Sequence, residues 1–267
     1  MQISRFRYRR VGRLRVGSLL LWGFFLLAGC TPKEQGKTPL LVSAASDLTY
    51  AFAEIGEAFH RKTGIALQFN FGSTGLLAQQ IAQGAPVDLF AAANRRYIEE
   101  LDREGLLLPG TIAPYAQGRL VLWLRPGLPA RIEALEALPR LGRIAIANPT
   151  HAPYGLAARQ LLEGMGLWKE LASRIVFGEN VRQTLKFAET GNVDAAIVAR
   201  SLCRRGSGRW IEIPSTLHEP IVQTLAIPRA SKRWQAARRL TAFVRGEEGQ
   251  VILQRYGFLP PPRGEGR

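Results

Sequence analysis

Three short turns hold the residues of this chain that are best suited to chemistry. They are residues 43–47 (SAASD), 72–75 (GSTG) and 148–155 (NPTHAPYG), and each falls where a strand pattern stops and a helical pattern begins. None contains Lys or Arg, although the chain has 36 basic and 21 acidic residues and a formal net charge of +15. Hydroxyls and free N–H groups at helix starts attract anions without a cation nearby. The three turns therefore predict a binding site for a small oxyanion.

Catalytic or metal-binding chemistry has weaker support in the sequence. The histidines are His60, His151 and His218, and the chain contains neither a Gly-x-Ser-x-Gly elbow nor a His-Glu-x-x-His motif. His151 lies in the third turn, but the sequence gives it no partner, and we interpret it as a loop residue. Clustered ligands for a metal ion are also missing. We expect no enzymatic activity, no cofactor and no direct metal ligand; a hydrolase that uses the same turns is the weaker alternative.

The first 29 residues have the composition of an export signal. They contain six Arg and no acidic residue, and an apolar run over residues 16–28 ends in Leu-Ala-Gly-Cys at 27–30. The run is too short for a membrane span, which needs about 20 residues, and its end resembles a bacterial lipobox. This predicts cleavage before Cys30, a lipid anchor on its sulfur, and a tether over residues 30–38. A retained membrane helix is the weaker alternative.

The remaining basic residues do not indicate a nucleic acid partner. Without residues 1–29 the chain has 36 − 6 = 30 basic and 21 acidic residues, so its formal charge falls from +15 to +9. The Arg-rich segment 229–245 lacks the aromatic interleaving of a nucleic-acid-binding motif, and we interpret it as a solvated face. Cys203 is then the one thiol left beside the lipidated Cys30, which excludes a disulfide framework.

Strand and helix patterns alternate through the rest of the chain. Such alternation predicts an α/β fold with mostly parallel sheets flanked by helices. The predicted strands are residues 40–45, 65–71, 87–93, 120–124, 143–147, 175–177, 193–199 and 221–227. The predicted helices are 48–63, 76–83, 95–103, 132–137, 155–162, 181–189, 232–244 and 247–256. In such folds ligands bind beyond the carboxyl ends of the strands, which is where the three turns lie.

Four fragments, in this order, resemble the periplasmic molybdate-binding proteins of ABC importers. They are SAAS at 43–46, GSTGLLAQQI at 72–81, GAPVDLF at 84–90 and RYGF at 255–258, within a match that extends from about residue 40 to 261. The resemblance implies a type II solute-binding fold with two α/β lobes, joined by crossover strands, and a ligand cleft between them. It implies that lobe 1 is residues 39–116 plus 224–262 and that lobe 2 is residues 117–223.

The same resemblance implies the site residues. The family positions that contact the anion match Ser46, Thr74, Tyr154 and Val181 here, the last two through main-chain N–H groups. Ser73 and Asp47 are further candidates. These groups suit molybdate, because a tetrahedral dianion without a proton is best held by donors alone.

Two positions depart from the family pattern. A position where some members place a ligand-binding Tyr matches Ala199, which removes a hydrogen bond worth about 1.5–3 kcal/mol if nothing replaces it. The other departure is Asp47, whose carboxylate would repel a dianion. For molybdate, Asp47 is therefore expected to point away and to cap the helix it begins. If it faces the ligand instead, a protonated oxyanion such as phosphate would be preferred.

As a whole, the resemblance implies a lipid-anchored, extracytoplasmic receptor that captures molybdate, and also tungstate, and delivers it to the membrane permease of an ABC importer. We expect a monomer on the periplasmic side of the cell envelope. Sulfate or phosphate is the alternative ligand.

Overall fold

The computed structural model describes residues 38–128, 132–203 and 208–262, in which ten strands and eight α-helices are found. The strands are β1 (Leu40–Ala45), β2 (Leu67–Gly72), β3 (Leu89–Ala92), β4 (Ala113–Gly118), β5 (Leu120–Leu124), β6 (Ile144–Ala147), β7 (Ile175–Gly178), β8 (Ala195–Ala199), β9 (Arg209–Glu212) and β10 (Ile221–Ala226). The helices are α1 (Thr49–Thr63), α2 (Thr74–Ala82), α3 (Arg95–Arg103), α4 (Pro153–Gly164), α5 (Trp168–Leu171), α6 (Val181–Glu189), α7 (Trp234–Arg245) and α8 (Glu247–Arg255). The predicted signal, Cys30 and residues 31–37 of the predicted tether lie outside the described residues.

The strands form two five-stranded sheets, so the predicted α/β class is confirmed. The first sheet has the order β2-β1-β3-β10-β4, and the second has the order β7-β6-β8-β5-β9. Both sheets are mixed, and in each of them four strands run in one direction and a single strand, β10 or β5, runs against them, as in a mostly parallel sheet. In the first, β1 is parallel to β2 and β3, whereas β10 is antiparallel to β3 and β4. In the second, β6 is parallel to β7 and β8, whereas β5 is antiparallel to β8 and β9.

The antiparallel strands are those that carry the chain between the sheets. Strand β4 ends at Gly118 and β5 begins at Leu120, so one residue separates the first sheet from the second. The chain returns through residues 213–220 between β9 and β10. These strands are not followed by a helical crossover within their own sheet, and only such a crossover requires parallel pairing. Strands β4 and β10 also run across the predicted lobe limits at residues 116 and 224.

The amphipathic pattern of α1 shows why the sequence folds this way locally. Leu48, Phe52, Ile55 and Phe59 are all buried, as their helical spacing predicts. The helix stops at Gly64, which has the left-handed φ of 69° that ends a helix and donates its N–H to the carbonyl of His60.

No helix among the described residues combines the length and apolar character needed to cross a bilayer.

Some elements differ from their sequence prediction. The predicted helix at 132–137 is replaced by a 3-10 helix at Leu135–Arg140, which contains Pro139 and therefore cannot form a regular α-helix there. Strands β4 and β9 and the single-turn helix α5 were not predicted. Strand β4 contains a proline and a glycine, and β9 is short and only partly buried, so neither has a clear strand pattern.

Asp88 of the GAPVDLF fragment fixes the strand that leads to the first turn. Its carboxylate accepts hydrogen bonds from the Leu41 N–H at 3.0 Å and from the Ser231 hydroxyl at 2.8 Å. These bonds tie β1 to the start of β3 and to the segment before α7. The start of β1, the strand that leads to the turn at residues 43–47, is thereby anchored.

Candidate functional site

A small cavity lies where strands of both sheets end. It is bounded by the ends of β1 and β2, the residue after β3, and the starts of α2, α4 and α6. The volume open to the centre of a water molecule in this cavity is about 10 Å³. Sites for organic ligands are far larger, at about 300–1,000 Å³. The structure brings to this one cavity all of the predicted site residues: Ser46, Asp47, Ser73, Thr74, Tyr154 and Val181. Ala199 is buried in β8 opposite Leu120 and does not line the cavity.

Three α-helices point their N-termini at this cavity. Thr74, Tyr154 and Val181 lie in the first turns of α2, α4 and α6, and their backbone N–H groups have no hydrogen-bond partner within the described ranges. At α4, Pro153 has no N–H to offer, and at α6 the Asn180 side chain caps the next two N–H groups. The remaining N–H groups and the helix dipoles create a positive potential without any charged side chain.

Two hydroxyl groups add donors to the same wall. The Ser46 hydroxyl has no hydrogen-bond partner among the described residues, although Ser46 is buried. The Thr74 hydroxyl accepts a hydrogen bond from the Ala93 N–H at 3.2 Å, so its own proton is available to donate. Both can therefore donate to an oxygen in the cavity.

The turn that contains His151 closes over the start of α2. The Ser73 hydroxyl lies 2.6 Å from the His151 carbonyl oxygen and 2.8 Å from Nδ1 of the same residue, and the Gly75 N–H donates to that carbonyl at 2.9 Å. Because a carbonyl can only accept, the Ser73 proton points at the carbonyl, and Nδ1 must carry the proton that it donates to Ser73. No partner for His151 is visible in the sequence, whereas the structure places it against Ser73, in a contact that joins the two halves of the site.

Asp47 forms no side-chain cap at the start of its helix, which corrects that part of the expectation, and its carboxylate is held by two buried side chains. Its Oδ2 accepts hydrogen bonds from the Tyr154 hydroxyl at 3.0 Å and from the Gln223 side-chain amide at 2.7 Å. Its backbone carbonyl accepts a hydrogen bond from the Ser201 hydroxyl at 2.8 Å. Asp47 thus links the turn after β1 to α4 and to the segment after β8 in the other half, and to β10 within its own half. Burial raises the pKa of Asp47 to about 7, despite the opposing effect of its two hydrogen bonds.

Sequence reasoning missed Gln223 and Tyr115, which complete this polar network. The Tyr115 hydroxyl lies 3.4 Å from Oε1 of Gln223, and both residues are fully buried. Burial, followed by the charge of Asp47, raises the pKa of Tyr115 and Tyr154 well above 10. One signal was present: the adjacent Gln223 and Thr224 interrupt the apolar strand IVQTLAI, and buried polar groups in a strand need partners.

Cys203 lies outside the cavity and has no sign of reactivity. Its thiol is buried 3.6 Å from the Ala199 carbonyl, and burial raises its pKa to about 12. In the described part of the chain, no three His, Cys, Asp or Glu side chains are grouped so that they could hold a metal ion.

Two mixed sheets flanked by helices, with a small cavity lined by hydrogen-bond donors between them, are characteristic of two-lobed solute-binding proteins. The chain belongs to the bacterial extracellular solute-binding protein family, whose model matches residues 40–259. It is similar to the molybdate-binding protein ModA of Rhodobacter capsulatus, with 33% identity over 224 residues, 82% of this chain and 88% of the relative. Among solved structures, the periplasmic molybdate-binding protein of Azotobacter vinelandii matches with a TM-score of 0.79 and 31% identity, over 84% of this chain and 100% of the other.

A further relative is described, provisionally, as an ABC transporter substrate-binding lipoprotein. It is YvgL of Bacillus subtilis, 29% identical over 246 residues, 89% of this chain and 95% of the relative. The family resemblance seen in the motifs is thus confirmed. Members of this family are extracytoplasmic binding components of transporters and not enzymes.

Proposed function

We propose that this chain is the extracytoplasmic component of an ABC importer that captures molybdate, and also tungstate. The observation that carries the proposal is the convergence of three helix N-termini and two hydroxyls on one cavity without a Lys or Arg side chain. Such a site offers donors from fixed positions, and in a dry cavity uncharged dipoles act strongly because water does not screen them. The molybdate-binding relatives support this choice of anion over sulfate and phosphate.

The size of the cavity supports capture rather than catalysis on an organic substrate. Space for the centre of a water-sized guest is about 10 Å³, which suits one small ion. The Ser73 and His151 side chains do not form a nucleophile and base, because the Ser73 proton is directed at the His151 carbonyl at 2.6 Å. We therefore infer that the protein binds its ligand without turning it over and needs no cofactor.

Closure of the two halves would trap the anion and create the surface that a membrane permease recognises. The described structure has the halves in contact through the Ser73–His151 and Asp47–Tyr154 pairs. The chain connections at residues 118–120 and 213–220 are the segments about which the halves would open. Anion binding drives closure only as far as the anion binds the closed form better than the open form.

The anchor is part of the same proposal. We infer that cleavage before Cys30 and acylation of its sulfur tether a monomer to the periplasmic side of the cell envelope, as the sequence of residues 1–30 indicates. Mass spectrometry of the protein from membranes tests this directly. A diacylglyceryl adduct on a chain that begins at Cys30 is expected, and a free thiol on an uncleaved chain would contradict it.

Thermal unfolding of the purified protein with molybdate, tungstate, sulfate or phosphate tests the choice of ligand. A ligand at 100 times its dissociation constant adds about 2.7 kcal/mol of stability. We expect molybdate and tungstate to stabilise the protein at micromolar concentration and sulfate and phosphate to do so only at far higher concentration. Equal effects of all four anions, or none, would refute the proposed ligand.

A further inference from the structure

One side of helix α7 carries positive charge without acidic neighbours in the sequence. Residues 220–246 contain six basic residues and no acidic residue. Ala237, Leu240 and Val244 are buried, so the helix presents its opposite side to solvent. We call this side the α7 face; its exposed residues are Trp234, Gln235, Arg238, Arg239, Ala242 and Arg245.

The charges of the α7 face are not balanced by ion pairs, unlike those of α3 and α4. Arg96 on α3 and Arg159 on α4 each pair with the glutamate four residues later, at 2.8 Å in both cases. Within the described ranges, the arginines of the α7 face form no ion pair. Arg238 instead lies over the ring of Trp234, 5.6 Å from its centroid. The face is therefore able to meet a negatively charged surface.

The positive surface has a direction along the helix. Arg229 and Lys232 are exposed in the segment that leads into α7 and extend the surface at its N-terminal end. At the C-terminal end, Glu247 and Glu248 begin α8, and Glu248 pairs with Lys62 at 3.4 Å. The positive charge is therefore concentrated toward the start of the helix.

The chain enters the fold beside the start of α7. The Arg233 guanidinium donates a hydrogen bond to the carbonyl of Thr38, which precedes β1. Cys30, the predicted site of the lipid, lies eight residues before Thr38, and eight residues span at most about 29 Å. Helix α7 has 12 residues and is therefore about 18 Å long. A lipid on Cys30 would keep the α7 face within reach of the bilayer.

We propose that the α7 face docks on the anionic phospholipid headgroups of the membrane that holds the anchor. The inference rests on the proposed lipid anchor and not on the identity of the captured anion. Arginine binds phosphate groups through charge-assisted hydrogen bonds. Trp234 is 41% exposed, and tryptophan is favoured at the level of the headgroups. The lipid retains the protein at the membrane, and the face fixes its orientation there.

Docking through the α7 face leaves the anion site unoccupied by lipid. Strand β1 runs from Leu40, beside the tether, to Ala45 at the cavity, so the tether and the cavity lie at opposite ends of this strand. No residue of the α7 face lines the cavity. Variants of the face should therefore bind molybdate with unchanged affinity.

Tryptophan fluorescence of the lipidated protein in vesicles tests the docking. Protein purified from membranes is reconstituted into brominated phosphatidylcholine, alone or mixed with phosphatidylglycerol, because bromine quenches a tryptophan that contacts the bilayer. Quenching is expected in the anionic vesicles and should be lost at high salt. It should also be lost in Trp234→Phe, because Trp123 is buried and Trp168 and Trp210 lie in the second half.

Charge removal gives a second readout. A Lys or Arg beside an anionic surface strengthens association about fivefold. The triple variant Arg238→Gln, Arg239→Gln and Arg245→Gln should therefore weaken docking roughly 100-fold and abolish the quenching. A matched control removes three exposed positive charges from the second half, through Arg140→Gln, Arg143→Gln and Lys169→Gln. The control should be quenched as strongly as the wild type.

The outcomes separate docking from the other proposals. Equal quenching in neutral and anionic vesicles, or equal quenching of the triple variant and its control, overturns the docking. A triple variant that keeps its quenching but no longer supports molybdate uptake assigns the face to the permease and also overturns it. A chain without a lipid on Cys30 overturns the anchor and the docking together. Absence of molybdate binding overturns the anion proposal alone.

Discussion

The hydroxyl of Tyr154 lies against the backbone of Gly118, so closely that a Cβ atom at residue 118 would be 2.1 Å from it. Gly118 is the last residue of β4, where the chain leaves the first sheet, and the same hydroxyl donates to Asp47. The absence of a side chain at Gly118 therefore lets α4 of the second half reach the buried carboxyl of the first. Packing at the connection between the halves and hydrogen bonding in the cavity are linked through one phenol.

Substitution of Gly118 tests this link. Gly118→Ala should displace the Tyr154 hydroxyl from Asp47, destabilise the protein and weaken anion binding, because a contact of 2.1 Å cannot be accommodated. Tyr154→Phe removes the clashing oxygen, so the double variant should unfold at a higher temperature than Gly118→Ala alone. Additive effects of the two substitutions on the unfolding temperature would contradict the contact.

Ser46 and Thr74 should respond differently to loss of their hydroxyls. Ser46→Ala should weaken molybdate binding at least tenfold and leave the ligand-free unfolding temperature nearly unchanged, since its hydroxyl has no partner in the described structure. Thr74→Ala should weaken binding similarly and also lower stability by about 1–3 kcal/mol, because the Ala93 N–H loses its acceptor. Thr74→Ser keeps the hydroxyl and should preserve both. Calorimetry and thermal unfolding measure the two effects, and unchanged affinity in both alanine variants would show that the wrong residues were chosen.

Closure itself can be tested at Gly75, where a Cβ would lie 2.8 Å from the His151 carbonyl oxygen and 2.9 Å from the Tyr97 hydroxyl. Gly75→Ala should disfavour the closed arrangement and reduce anion affinity, because opening relieves the contact with the His151 carbonyl, whereas the Tyr97 hydroxyl lies at the end of a side chain that can move aside. Gly164→Ala in α4 is the matched control, since nothing lies within 4 Å of its Cβ. Equal affinities of the two variants would argue against closure at this contact.

The free energy of unfolding of the ligand-free protein should depend on pH because of Asp47. Burial raises the pKa of Asp47 to about 7 from the ordinary 3.8, so between these values the folded protein holds a proton that the unfolded chain releases. The contribution is fully present below about pH 4 and is lost as pH rises to 7, at about 1 kcal/mol for each pH unit. Asp47→Asn removes this dependence, so the difference in free energy of unfolding between variant and wild type should shift in favour of the variant from pH 5 to 7. Parallel pH profiles in urea unfolding would contradict the prediction.

The sequence predicted the local features that depend on nearby residues. The spacing of Leu48, Phe52 and Ile55 determines the buried face of α1, and that pattern is fully visible in the chain. The three turns were located because strand and helix periodicities change there. Their meeting at one cavity followed from the rule that sites form at the carboxyl ends of strands and from the family resemblance.

The sequence could not show relationships that depend on distant parts of the chain. The environment of Asp47 is set by Tyr154 and Gln223, which are 107 and 176 residues away, and no local pattern specifies which buried donors meet a carboxyl. The reversed direction of β10 could not be specified for the same reason, since β4 and β10 pair across about a hundred intervening residues. His151 had no visible partner because Ser73 is 78 residues away.

A crystal structure grown with molybdate, with data collected at the molybdenum absorption edge, tests the central claim most directly. The account predicts one anomalous peak in the cavity between the two sheets, with anion oxygens within hydrogen-bond distance of the Ser46 and Thr74 hydroxyls and the Tyr154 and Val181 N–H groups. An anomalous peak beside surface arginines, with nothing in the cavity, would contradict it.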